Sequence, residues 1–143
     1  MSRLKLEFPS QSQFSTVLEV RAADLNYGNH LGNDRFLAYA QEARLKFLQH
    51  LGYKSELEIE GIGTIMGDAA VVFKNQAFLG DQIEVFIAVG ELTRVSFELY
   101  YRLIRQSDQK EIGVVKTGIV CFDYLNTQKV CNLPEPLKLK LQI

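Results

Sequence analysis

The sequence predicts an α+β fold in which one long helix packs on an antiparallel sheet. Three observations carry this reading. Phe36, Ala40, Ala43, Phe47 and Leu51 recur at spacings of three and four, with Leu37 and Leu48 widening the apolar stripe. The chain beyond residue 60 is a succession of runs alternating at period two. Those runs are joined mainly by short polar connections suited to hairpins, so the stripe of the lone helix must face the sheet they form.

Each element follows from local pattern. Leu18, Val20 and Ala22 alternate with Glu19 and Arg21 and predict a half-buried strand. Tyr27-Gly28-Asn29 breaks that pattern, because glycine and asparagine tolerate positive φ and let the backbone reverse. The helix follows, with Asn33 as its expected N-cap and Gly52 as its stop. A long strand then opens at Gly61-Ile62-Gly63 and runs through Phe73, bent near Gly67-Asp68. Leu79-Gly80-Asp81-Gln82 is a turn, and Ile83, Val85, Ile87 and Val89 form the next strand. Gly90–Thr93 connects it to a strand carrying Val95, Phe97, Leu99, Tyr101 and Leu103. After the polar turn Gln106–Lys110, the last long strand runs from about Glu111 to Phe122, and Leu133-Pro134-Glu135-Pro136 introduces an extended tail.

Composition sets the remaining bounds. With 143 residues and 47% hydrophobic content, the chain is one domain long and buries about two thirds of the surface it exposes unfolded. A net charge of −1 gives no electrostatic footprint for nucleic acid or an anionic membrane. No apolar run is long enough to span a bilayer, and MSRLKLEFPSQSQF lacks the apolar centre of a signal peptide, so a cytoplasmic location is expected. Cys121 and Cys131 have no metal-like spacing and read as quiet thiols; the two histidines add no ligand pattern, so neither a metal nor a cofactor is expected. His50, in the last turn of the helix, complements the helix dipole.

Asp24 to Asp34, DLNYGNHLGND, carries the chemistry. It places a histidine and several turn-formers directly before the helix, whose first amides are unpaired and partly positive. Such amides hold a phosphate or polarise a carbonyl oxygen, and those of Gly32, Asn33 and Asp34 are the candidates here. Asp24 reads as structural, accepting backbone N–H bonds of the turn. Arg44 falls within the apolar stripe and needs a carboxylate or carbonyl partner, for which Asp24 and Asp68 are candidates.

This order of elements resembles the hotdog fold of the 4-hydroxybenzoyl-CoA thioesterase-like superfamily. The resemblance lies in VRAADLN, YGNHLGNDRFLAYAQEARLKFL, VVFKNQAFLGDQIEV and TGIVCFDYLNTQKVCNLPEPL, and most specifically in the Asp-x-(Asp or Asn)-x-x-x-His-x-x-Asn pattern followed by Glu-Ala-Arg. It implies a single domain over 1–143, one long helix wrapped by a five-stranded antiparallel sheet. It further implies hydrolysis of an acyl-CoA or acyl-carrier-protein thioester to a free acid and a thiol, and assembly as a homodimer or homotetramer with sites near the interface.

One departure bears on the chemistry. Many members carry an aspartate at the third position of the motif as nucleophile or base, and here it is Asn26, whose amide cannot accept a proton. On the hydrolytic reading Asn26 orients a water while another group removes its proton, the candidates being Asp24, His30 and Glu42. His30 matches the motif histidine and titrates nearest neutrality of these residue types, serving as base or as a brace for the turn. Glu42 matches a glutamate common in relatives, yet points away from the apolar stripe, where only a partner subunit covering Ala38 and Leu45 desolvates it. Gly32 stands where many relatives carry asparagine. Asp68, Lys74 and Arg94 on later strands are further charged candidates. The alternative function is a non-catalytic acyl-thioester-binding protein; dehydration of a hydroxyacyl thioester is disfavoured, since it needs a differently arranged histidine and acid.

Overall fold

The computed structural model describes residues 2–143. Its elements run β1 (Phe14–Glu19), α1 (Asn33–His50), β2 (Gly63–Phe73), β3 (Gln82–Leu92), β4 (Ser96–Arg105), β5 (Lys110–Asp123), β6 (Lys129–Val130) and α2 (Glu135–Leu141). The sheet is antiparallel throughout, in the order β1-β3-β4-β5-β2, with the two-residue β6 beside β5. This is the expected α+β architecture, five strands on the main path and α1 packed against β1, β2, β3 and β5.

Alternation decides which side of the sheet faces α1. Ile83, Val85 and Ile87 of β3 and Phe97, Leu99, Tyr101 and Leu103 of β4 are buried in one core with Phe36, Ala40, Ala43 and Phe47 of the helix. Burying each such aliphatic or aromatic side chain stabilises the fold by about 2 kcal/mol, so this seam holds the tip of α1 where the site needs it. The N-terminal segment runs by the outer face: Leu6 and Phe8 line one groove with Arg102, Glu111 and Val114, and Val114 is buried.

Several expectations are met by identifiable causes. Gly52 follows the end of α1 with φ +102, the left-handed conformation that terminates helices. The bend in β2 is a register shift between Met66 and Asp68 opposite Ile119 and Gly118. His50 lies in the last turn of α1, as expected, and its ring is 5.3 Å from that of Phe14. Cys121 is buried and its thiol is pushed up to about 12 by that burial, with the nearby Cys131 adding to the shift; both cysteines are free.

Three expectations need correction. The first strand begins at Phe14 and ends at Glu19, and Ala22–Asp24 is a 3-10 turn, because Asp24 accepts the Arg21 N–H and closes the chain there. The tail after Leu133 is not extended: Pro134 and Pro136 occupy the N-cap and first turn of α2, positions where a missing N–H costs nothing, and Leu137 and Leu141 bury one face of it. Asn33 is not the N-cap of α1. Gly32 is, with φ −67 and ψ 150, and no side chain caps the helix.

Candidate active site

The segment before α1 folds around Asn26. Its Oδ1 accepts the Gly28 N–H at 2.9 Å and the His30 N–H at 3.4 Å, while its backbone N–H donates to His30 O at 2.9 Å. Asn29 takes the left-handed conformation with φ 64. A Cβ on Gly28 would lie 3.1 Å from His30 Nε2 and 3.3 Å from Asn26 Oδ1, so a side chain there would push on both residues by a few tenths of an ångström. Because Oδ1 is the atom that accepts, the orientation of the Asn26 amide is settled by its bonding, and its NH2 group is the end that remains. That group has no hydrogen-bond partner among the described residues.

Asp24 pins this turn to the helix. Its carboxylate accepts the Tyr39 hydroxyl at 2.6 Å and the Arg21 N–H at 3.1 Å, and it is 2% exposed. Burial pushes this carboxyl up, but the bonds from Tyr39 and Arg21 and the Arg21 charge outweigh it and hold it below the ordinary value. The Asp24 carbonyl accepts the Gly32 N–H at 3.0 Å, and Ala77 O accepts the Leu31 N–H at 2.8 Å. The Gly32 amide is therefore already used, which corrects its place among the carbonyl-polarising groups. The amides of Asn33 and Asp34 have no acceptor among the described residues, and they form the exposed positive end of α1. A Cβ on Gly32 would meet the tip of the exposed Asp34 side chain, with Oδ1 at 2.7 Å, and that tip is free to swing aside.

A groove of about 470 Å³ opens at this end of the helix. Asn26, Tyr27, His30 and Asn33 line it from the turn and the helix tip, Leu31, Phe36 and Phe73 supply apolar surface, and Lys74, Asn75 and Gln76 close the far side. Phe36 meets Phe73 edge to face, with ring centroids 4.9 Å apart. Gly113 makes room for this pair, since a Cβ there would stand 2.7 Å from the Phe36 ring. His30 Nδ1 is 3.4 Å from Leu31 O; a carbonyl only accepts, so this long contact favours the tautomer with the proton on Nδ1 and the lone pair on Nε2.

Of the residues singled out from sequence, Asn26, His30 and Asn33 thus share one groove, with Gly32 and Asp34 behind its rim. Glu42 does not join them within the chain. It lies nine residues further along α1, roughly 13 Å at the helical rise, and lines a separate groove of about 570 Å³ with Val17, Ala38 and Leu45. Arg44 is buried as expected but its partners are Glu56 and the Tyr101 hydroxyl at 3.2 Å, not Asp24 or Asp68. Asp68 pairs with Lys116 at 2.9 Å and Arg94 bonds Asn132 at 2.8 Å, while Lys74 reaches the groove. Phe36 and Phe73 read from sequence as core residues only, because periodicity assigns a face to a side chain and not a cavity at the end of that face. Asn75 and Gln76 carried no periodic signal at all.

A family model described as the thioesterase-like superfamily matches residues 20–141. The chain belongs to that superfamily. No curated protein matches this superfamily member. Among solved structures it is similar to the 1,4-dihydroxy-2-naphthoyl-CoA thioesterase Slr0204 from Synechocystis, with a TM-score of 0.81 and 20% identity over 90% of this chain and 95% of the other. The gentisyl-coenzyme A thioesterase BH1999 gives 0.77 and 23% over 89% and 98%. The DHNA-CoA thioesterase from Staphylococcus aureus gives 0.76 and 20% over 90% and 87%. At these identities the likeness establishes the hotdog fold. No helix of the described residues is long and apolar enough to cross a membrane.

Proposed function

We propose that this protein hydrolyses acyl thioesters in the groove at the start of α1. The supporting observation is that Asn26, His30 and Asn33 line one groove, so that the unpaired Asn26 NH2 and Asn33 amide share it with the imidazole of His30, while the unpaired Asp34 amide lies beside them at the helix tip. The donors bind the thioester carbonyl oxygen and strengthen that bond as the oxygen becomes negative. Nε2 takes a proton from water as the water oxygen bonds the carbonyl carbon. Collapse of the tetrahedral adduct breaks the carbon–sulfur bond, and the imidazolium returns the proton to the leaving thiolate. Asn26 acts here as a donor, which its amide can do and an aspartate cannot.

The acyl group rests on Phe36, Phe73 and Leu31. A homodimer through the free edge of β2 fits the exposure of Ile65 and Met66 and the absence, among the described residues, of any strand beside β2 other than β5. Glu42 enters catalysis only where a second chain carries it to the groove. The second reading, binding of acyl thioesters without cleavage, is favoured by one observation, that no carboxylate among the described residues lines the groove. The two separate when the pure protein is incubated with short, medium, long and aromatic acyl-CoAs and free thiol is followed. Turnover on any of them supports hydrolysis, and saturable binding with no thiol release supports the binding module.

A further inference from the structure

The candidate groove does not end at Lys74. Phe73 and Lys74 also line a second groove of about 430 Å³, whose other wall is Arg3, Leu4, Lys5 and Leu6 of the N-terminal segment. We propose that Arg3, Lys5 and Lys74 form the seat for the phosphates of coenzyme A, with the pantetheine arm lying over Phe73 between that seat and the thioester. The inference rests on the thioester reading of the first groove.

Charge is the first support. Arg3 and Lys5 form no ion pair among the described residues. Lys74 and Arg102 both pair with Glu111, and Glu7 lines the adjoining groove with them, so Arg3, Lys5, Lys74 and Arg102 face two carboxylates and the cluster keeps surplus positive charge. In a chain of net charge −1 this is a local concentration against the overall sign. Coenzyme A needs such a place, because its diphosphate and its 3′-phosphate carry several negative charges at one end of a long neutral arm. A carrier protein presents the same arm on a single phosphodiester, which asks for fewer cations. The structure thus favours coenzyme A over a carrier protein.

Anchoring is the second support. The segment is not a loose tail, since Leu6, Phe8 and Pro9 are half-buried and lie along the outer face of the sheet beside Val114. Residues 3 and 5 are thereby held beside the end of β2. The family match spans residues 20–141, so Arg3 and Lys5 lie outside the matched span.

The test uses the full chain and the exposed double variant Arg3→Gln/Lys5→Gln. Titration calorimetry with free coenzyme A is expected to show roughly tenfold weaker binding in the variant, the scale of two lost charge-assisted contacts at a solvated surface. The KM for acyl-CoA should rise by a similar factor with kcat kept. Acyl-pantetheine, which lacks the phosphates, should be turned over alike by both proteins. Unchanged binding of coenzyme A in the variant overturns the proposal, as does an equal loss on acyl-pantetheine. Preference for acyl-carrier protein over acyl-CoA overturns the choice of coenzyme A. The two readings fail separately. Weakened coenzyme A binding in the variant, with no hydrolysis by either protein, sinks the hydrolase and leaves the seat standing, and hydrolysis with unaltered coenzyme A binding does the reverse.

Discussion

Tyr39→Phe isolates the contact that ties the reactive turn to the helix. The substitution removes one hydroxyl and leaves the ring in place, so no cavity of consequence forms. It takes away a 2.6 Å bond to a carboxylate that is 2% exposed, leaving Asp24 with the Arg21 N–H at 3.1 Å and the Arg21 Nε at 3.7 Å. A hydrogen bond to a charged group contributes about 1.5–3 kcal/mol, and the burial of Asp24 places this one near the middle of that range. The expected loss is about 2 kcal/mol, a fall in Tm of about 6 °C for a chain of this size. Asp24 lies below its ordinary pKa in the folded protein, so its contribution is present above the unfolded value and is lost as pH falls through the folded one. Without Tyr39 the folded pKa rises, and the stability gap between the two proteins should therefore shrink on acidification. Urea denaturation of both proteins at pH 7 and in steps down through pH 4 to about pH 3 reads this directly. A loss below about 0.5 kcal/mol at pH 7, or a gap that widens as pH falls, would refute the assignment of Asp24 as the charged anchor of the turn.

Four other outcomes follow from the same structure. Arg44→Ala leaves Glu56 and the Tyr101 hydroxyl without their buried cation and should cost about 3 kcal/mol in denaturant unfolding, whereas Arg44→Met should cost less. Asn26→Asp keeps both acceptor bonds to the Gly28 and His30 amides, so its unfolding curve should match the parent, while Asn26→Ala should lose about 1 kcal/mol; thermal melts compare them. Glu42→Gln retains acyl-CoA turnover if His30 alone moves the proton, and a loss of about 10²-fold or more brings Glu42 in from a second chain. Gel filtration should give a dimer, and Met66→Lys on the free edge of β2 should convert it to monomer.

Much of the fold is legible in the sequence because it depends on period and punctuation. The stripe from Phe36 to Phe47 assigns the buried face of α1, the alternation from Ile83 to Val89 does so for β3, and Gly52 and Gly67-Asp68 mark a stop and a bend through backbone freedom alone. The misreadings share a cause, which is competition between polar partners that a one-dimensional pattern does not rank. Asn33 looks like a cap, yet Gly32 takes that place once its N–H is claimed by the Asp24 carbonyl. Arg44 announces a buried cation but not its partner, because Glu56 belongs to an irregular loop with no periodic signal. The prolines after Leu133 signal a break equally well before a strand-like tail and at the first turn of α2. In the site, residue type revealed Asn26 and His30, whereas the direction of the Asn26 amide depends on two backbone bonds that only three dimensions supply.

The central claim is that donors at the start of α1 polarise a thioester while His30 moves the proton. Its most direct measurement is the steady-state release of thiol from the best acyl-CoA by the parent protein and by His30→Ala, with coenzyme A binding followed in parallel. The account predicts turnover by the parent, a loss of roughly 10²–10⁴-fold in kcat for the variant, and retained binding. Parental turnover by His30→Ala, or acyl-CoA binding by the parent without any thiol release, would contradict it.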